Sequence, residues 1–256
     1  GMTAMKSFSI DDKVKRFDLF VELSSRIAEL ARQEDLQITP FENPELPYFS
    51  ALPEENQKYV LWQLETLHSV VVSVCADRER FRSARSLTWG FLKHMKYTAP
   101  TELFRWLDDS DHVDAYSADH QMLFASLEIF RFLSYSLEDF YCRPWTKLFK
   151  RDREGVHDML FSLSNKMLGG SYPGVVATDY IPTHVTIECE SRHAKRILQR
   201  PRFFSPLYDR GNIVGYLCVN RLQSVSAGIS TPLNKGDQSW CPKEDLNLHT
   251  LASTST

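Results

Sequence analysis

Imidazoles and carboxylates crowd two stretches of this chain. In "DDSDHVDAYSADHQ", Asp109, Asp111, His112, Asp114, Asp119 and His120 fall within residues 109–120. Such groups can hold a cation, but a solvated linker between domains has the same composition. The linker reading is the expectation. In "HVTIE", a strand would put His184 and Glu188 on one face, with His193 following. That spacing suits a metal, and it equally suits an exposed polar strand. "GGSYPG" at 169–174 follows a helical pattern instead of opening one, so it lacks the geometry of a phosphate cradle. No nucleophile elbow, zinc-protease motif, P-loop or dinucleotide fingerprint is present. No catalytic residue and no metal ligand set is therefore assigned, and the chain is expected not to be an enzyme.

Composition narrows the class. The 256 residues carry a net charge of −3, with 43% hydrophobic and 25% charged residues. That balance is ordinary for a globular protein, and it supplies no field that would gather nucleic acid or an anionic membrane. The longest apolar run, "HSVVVSVCA", is too short to span a bilayer, and the chain does not open with a signal-peptide pattern. Five dispersed cysteines without a C-x-x-C favour reduced thiols. The expected setting is the cytoplasm.

The elements come in two blocks. Phe17, Phe20, Val21, Ser24, Ile27, Ala28 and Ala31 give residues 9–38 a helical apolar stripe. Four prolines in residues 40–53 interrupt it. A second helix begins at Pro53–Glu54, where Val60, Leu64, Leu67, Val71, Val74, Arg78 and Phe81 follow the four-three spacing of a coiled-coil seam. Homodimerisation through that seam is expected. Trp89, Leu92 and Met95 continue the apolar pattern, and "TELFRWLDD", capped by Thr101, closes a helical domain at 1–110. From 111 to 225 the pattern changes. Met122–Ala125 reads as a strand, Ile129–Leu133 as a helix, and Ser136 with Asp139 as a capping box. A helix over Arg153–Leu168 ends at Gly169-Gly170. Strands fill "GVVATDYIP", "HVTIECES", "RPRFFSPLY" and "NIVGYLCVNRL", the last two joined by an Asp-Arg-Gly-Asn corner as a β-hairpin. That hairpin is apolar on both faces, so something must cover each. Residues 226–256 read as an extended tail, with Trp240 as a candidate anchor.

Two motifs in the second block resemble the PAS sensor family. One runs through Ala125, Phe130, Leu133, Tyr135, Ser136, Leu137, Glu138 and Arg143-Pro144-Trp145. The other runs through Pro206, Leu207, Tyr208, Asp209, Gly211, Asn212, Val214 and Gly215. The resemblance covers residues 113–225 and departs from the family at Ser126 and Ser134. It implies an α+β fold: an all-helical N-terminal domain, then a PAS-like domain with a five-stranded antiparallel sheet and flanking helices. In that fold the hairpin forms the last two strands, one face closes over helices as a pocket, and the other receives an N-terminal helix or a second subunit.

His157, in "DREGVHDML", resembles the segment that carries the proximal haem ligand in oxygen-sensing PAS proteins. At about 100° per residue it lies beside the stripe of Val156, Leu160, Leu163 and Met167, so a structural role is expected. The apolar residues Phe124, Leu127, Phe130, Leu133, Phe140, Trp145, Leu160, Leu163, Phe204 and Leu217 are core residues that would line a ligand pocket if one exists. The expected function is sensory and non-enzymatic. A small apolar or aromatic ligand, or a protein partner, alters packing or dimer contacts. The alternatives are a dimerisation module with a filled core and, below it, a haem gas sensor. No cofactor is specified, and a downstream protein partner is expected because no output domain is visible.

Overall fold

A computed structural model describes residues 12–77 and 83–225. Ser9, Asp11, Arg78, Phe81, the 226–256 tail and its Trp240 lie outside them. Helix α1 spans Lys13–Gln33 and starts at Asp12, whose carboxylate accepts the Val14 N–H at 2.9 Å. It buries Phe20, Leu23, Ile27 and Ala31. The proline-rich stretch holds one short helix, α2 (Pro47–Ala51), with proline in its first turn. Helix α3 (Glu54–Ala76) follows Pro53, and α4 (Ala84–Met95) is capped by Ser83. The expected helix after Thr101 is the single turn α5 (Leu103–Trp106), because Leu107 is already extended.

By length and composition alone α3 could cross a membrane, but it is the central helix of the bundle. Val60, Leu64, Leu67, Val71 and Val74 are all buried, packed between α1 and α4. The four-three seam is thus covered inside the chain, and the stripe from which dimerisation was expected is not free. Gly90 of α4 makes the close approach possible. A Cβ there would meet Val74 and Val70 methyls at 3.0 and 3.1 Å.

The second block is a curved antiparallel sheet in a PAS-like topology with flanking helices. Strands β1 (His112–Ser117) and β2 (Met122–Ala125) form a hairpin. A 310 turn (Leu127–Arg131) replaces the helix expected at 129–133. Helix α6 (Leu137–Cys142) begins with the capping box of Ser136 and Asp139. Then come α7 (Trp145–Leu148), β3 (Phe149–Arg151), α8 (Val156–Leu168), β4 (Val176–Ala177), β5 (His184–Glu188), β6 (Arg196–Asp209) and β7 (Asn212–Ser224). The strand order is β2-β1-β7-β6-β5-β3, with β4 pairing beside β6, so the sheet has seven strands where five were expected. The additions are the short β3 and β4.

The Asp-Arg-Gly-Asn corner is a two-residue loop. Asp209 pairs with Asn212, and Arg210 and Gly211 have φ of 49° and 82°, as a type I′ hairpin requires. Pro201 is tolerated inside β6 because β5 pairs only with 196–199 and β4 with 203–204, leaving its missing N–H unneeded.

One expectation is overturned outright. The acidic–histidine stretch is not a solvated linker: His112–Ser117 is β1, paired with both β2 and β7. Asp111, His112 and His120 are buried. Asp111 is ion-paired with Arg202 and Arg221 and accepts the Asp108 N–H at 2.8 Å.

Both faces of the β6–β7 hairpin are covered, as its sequence demands. Directly opposed residues share a face. Val113 and Ala115 of β1, Leu217 and Val219 of β7 and Phe203 of β6 form the outer face, in one core with Leu87 and Phe91 of α4. Tyr216 of β7 and Phe204 of β6 lie on the inner face, against Val156, Leu163 and Met167 of α8. The buried Glu138 carboxylate ties α6 to the helical block by accepting the Tyr48 and Phe49 N–H groups, each at 3.1 Å.

Candidate functional site

The inner face carries most of the sheet's polar chemistry. Its register puts Asp114, Cys218 and Phe204 in one row and Tyr116 and Tyr216 in the next. Toward the far edge, Arg151, Thr186 and Ile197 share a row, flanked by His184 opposite Gln199. Strands β3 and β1 are four places apart, about 19 Å in a flat sheet at strand spacing. Yet the Arg151 guanidinium is close enough to Tyr116 and Cys218 to influence both. The sheet therefore curls, and its concave face brings the two edges toward each other. Arg151, Tyr116 and Cys218 are densely surrounded by protein but keep solvent-accessible surface, which is the signature of a cleft.

Burial sets the electrostatics. It lowers the Arg151 pKa and pushes the Cys218 thiol and the Tyr116 phenol well up; the Asp114 carboxylate adds to both upward shifts. Cys218 thus stays a protonated thiol, unsuited to nucleophilic chemistry. Arg151 donates from Nε to His184 Nε2 at 3.3 Å and lies over the Trp145 ring at 5.6 Å. No carboxylate pairs with it. Asp114 is held from one side only, by His112 Nε2 on Oδ1 at 2.8 Å.

His184 is neutral. Its Nδ1–H donates to the Pro182 carbonyl at 3.1 Å, leaving Nε2 as acceptor. Burial, then Arg151, lowers its pKa from 6.5 to about 4, with Asp152 opposing and Arg153 adding to the shift. The unfolded chain therefore binds a proton that the folded chain refuses between those values. The stabilisation is complete above pH 6.5 and is lost as pH falls toward about 4. It amounts to roughly 3 kcal/mol. Urea unfolding across that window should show a flatter pH dependence in His184→Gln than in wild type. Parallel curves would contradict the buried, neutral imidazole.

Connectivity alone would suggest a catalytic triad at β1. Ser126 Oγ meets His112 Nδ1 at 3.0 Å, and His112 Nε2 meets Asp114. But Ser126 is 1% exposed and its oxygen already accepts the Val113 N–H at 3.0 Å. No substrate carbonyl could approach it, and the chain of bonds locks β1 to the end of β2. His120, expected in a linker, is fixed between Tyr216 Oη at 2.8 Å and Asn165 Oδ1 at 2.9 Å.

His184, Glu188 and His193 do not converge. Glu188 accepts from the Ser134 N–H and hydroxyl and from the Lys195 N–H, while His193 sits exposed beyond the strand. Among the described residues no three His, Cys, Asp or Glu side chains cluster as metal ligands do. His157 lies in the first turn of α8, which begins at Val156 because Gly155 takes a left-handed φ of 82°. Its ring is half-buried and parallel to that of Phe161.

The ten apolar candidates divide between regions. Phe124 and Leu217 point to the outer face, Phe124 stacking on Phe91 of α4 at 5.0 Å. Leu127, Phe130, Leu133 and Phe140 are buried around the 310 turn and α6, with Phe130 edge-on to Phe140. Phe204, Leu160 and Leu163 pack between α8 and the inner face. Trp145 is half-buried at the cleft rim, on Phe149. Two open concavities lie on the helical block, about 360 Å³ beside Val14, Phe17 and Phe49 and about 490 Å³ beside Val74, Trp89 and Phe104. None of the ten lines either. The residues that sequence reasoning passed over are Arg151, Asp114, Tyr116, Thr186 and Cys218. The alternation His112-Val113-Asp114-Ala115-Tyr116 was a readable strand signal. Nothing local marked Arg151.

Comparison with protein-family models, with curated proteins and with solved structures finds no match. The class rests on the architecture itself: a helical N-terminal region followed by a curved antiparallel sheet with flanking helices, in a PAS-like topology.

Proposed function

We propose that this is a non-enzymatic regulatory protein that holds a small molecule in the cleft on the inner face of its curved sheet. One observation carries the reading: Arg151, Tyr116 and Cys218 are enclosed by protein but still reached by solvent, in the middle of a sheet face whose neighbours are sealed. A cleft with Trp145, Leu160 and Phe204 on its walls suits a ligand with an apolar or aromatic body. Occupancy would act by population shift. The covering helix α8 would settle against the inner face, and the outer face would transmit the change to α4, which packs directly on it. Output passes to a protein partner.

Native mass spectrometry of the purified protein tests this, followed by thermal denaturation against a metabolite library. The expected result is an added small mass or a raised Tm, either one abolished in Leu160→Trp, which fills the cleft. A bare chain mass, with no compound shifting Tm, would favour a dimerisation module with a filled core.

A further inference from the structure

The two charged groups of the inner cleft are left apart. Arg151 and Asp114 both border Tyr116 and Cys218. They form no ion pair with each other: the carboxylate meets His112, and the guanidinium meets His184 and Trp145. His184 is neutral and accepts, so it does not neutralise Arg151. Asp114 Oδ2 and the terminal guanidinium nitrogens have no protein partner, and the Asp114 side chain keeps 17% of its surface. A third group points the same way. Thr186 Oγ1, in the same row and on the same face as Arg151, is wholly buried and has no hydrogen-bond partner. Buried hydroxyls are nearly always paired, so an orphan beside an unpaired guanidinium implies a polar atom that completes the set. A separated cation and anion inside one cleft match a ligand of the opposite polarity at each end.

We infer that the cleft takes a small zwitterion with an apolar body, its carboxylate on Arg151 and Thr186 and its ammonium on Asp114. An α-amino acid with an apolar side chain has this chemistry. The planar fork of Arg151 suits a carboxylate bidentately, while the face of Trp145 and the side chain of Leu160 receive the body. This rests on the ligand-binding reading above and narrows it.

The test is calorimetric titration of the full chain with L-phenylalanine, L-leucine and L-tryptophan, each beside its matched amine and its matched deaminated acid. At least one amino acid should bind, and its amine and acid should each bind about tenfold more weakly or worse, as the loss of one charge-assisted bond dictates. Arg151→Gln and Asp114→Asn should each cost a similar factor. Thr186→Val keeps the shape of the side chain. It should leave the ligand-free Tm unchanged or raised and lower amino-acid affinity several-fold, which preserves the test if Arg151→Gln fails to fold. A deaminated acid that binds as tightly as its amino acid, or full affinity in Asp114→Asn, overturns the zwitterion. Binding of neutral apolar compounds alone also overturns it but leaves the ligand-binding reading standing. No binding by any of these classes overturns both.

Discussion

Asp111→Ala should lower the unfolding free energy by about 3 kcal/mol, among the largest effects of any polar substitution in this chain. The Asp111 side chain is completely buried and takes Arg221 Nε on Oδ1 at 3.1 Å. Its Oδ2 accepts from Arg202 and from the Asp108 N–H. Removing the carboxylate leaves two guanidinium groups facing each other with no counter-charge and one backbone N–H without an acceptor. Both arginines keep partial solvent contact, 27% and 32% of their side chains, which holds the cost at the lower end for a broken buried pair. Asp108, 3.0 Å from Arg221, supplies some compensation. Asp111→Asn keeps the shape and one acceptor and should cost roughly half as much. Adding Arg202→Met to Asp111→Ala should recover part of the loss by removing the repulsion. Urea midpoints measure all three. A loss below about 1 kcal/mol for Asp111→Ala would show that water already satisfies this junction.

The same junction shows what could be read in the chain and what could not. The β6–β7 hairpin, the Ser136–Asp139 capping box and the end of α8 at Gly169 are local features, set by turn chemistry and periodicity within a few residues. Each was legible. Strand β1 was obscured because its acids and histidine look like a solvated linker. The partners that make them structural, Arg202 and Arg221, lie 91 and 110 residues away. The seam on α3 was read correctly as apolar, but periodicity cannot say which surface covers it, and α1 and α4 of the same chain do. Arg151 sits in "KRDREG", which reads as an exposed charged turn. Only the curl of the sheet carries it over Tyr116 and Cys218, so the polar half of the candidate site was not legible, while its apolar wall at Trp145, Leu160 and Phe204 was.

Phe91→Ala should destabilise the whole chain by about 3–5 kcal/mol, the usual range for a buried phenylalanine truncated in a packed core. Phe91 is fully buried on α4, stacked on Phe124 of β2 at 5.0 Å and edge-on to Tyr97 at 6.5 Å. It stands where the helical block meets the outer face of the sheet, in a hydrophobic core that runs without a break from Phe20 of α1 to Val219 of β7. The backbone bridge between Thr98 and Tyr208, with both bonds at 2.8 Å, crosses the same boundary. A cavity at this position removes contacts from both sides at once, and the surrounding residues come from rigid elements that cannot close over it. If helices and sheet form one cooperative unit, native-state hydrogen exchange should show the slowest amides of α3 and of β7 losing the same protection in Phe91→Ala. If they are separate units, α3 and β7 will lose different amounts, and β7 will keep more of its own. The second result would also uncouple the inner cleft from the helical block, because the only route described here from ligand to output runs through the face that Phe91 covers.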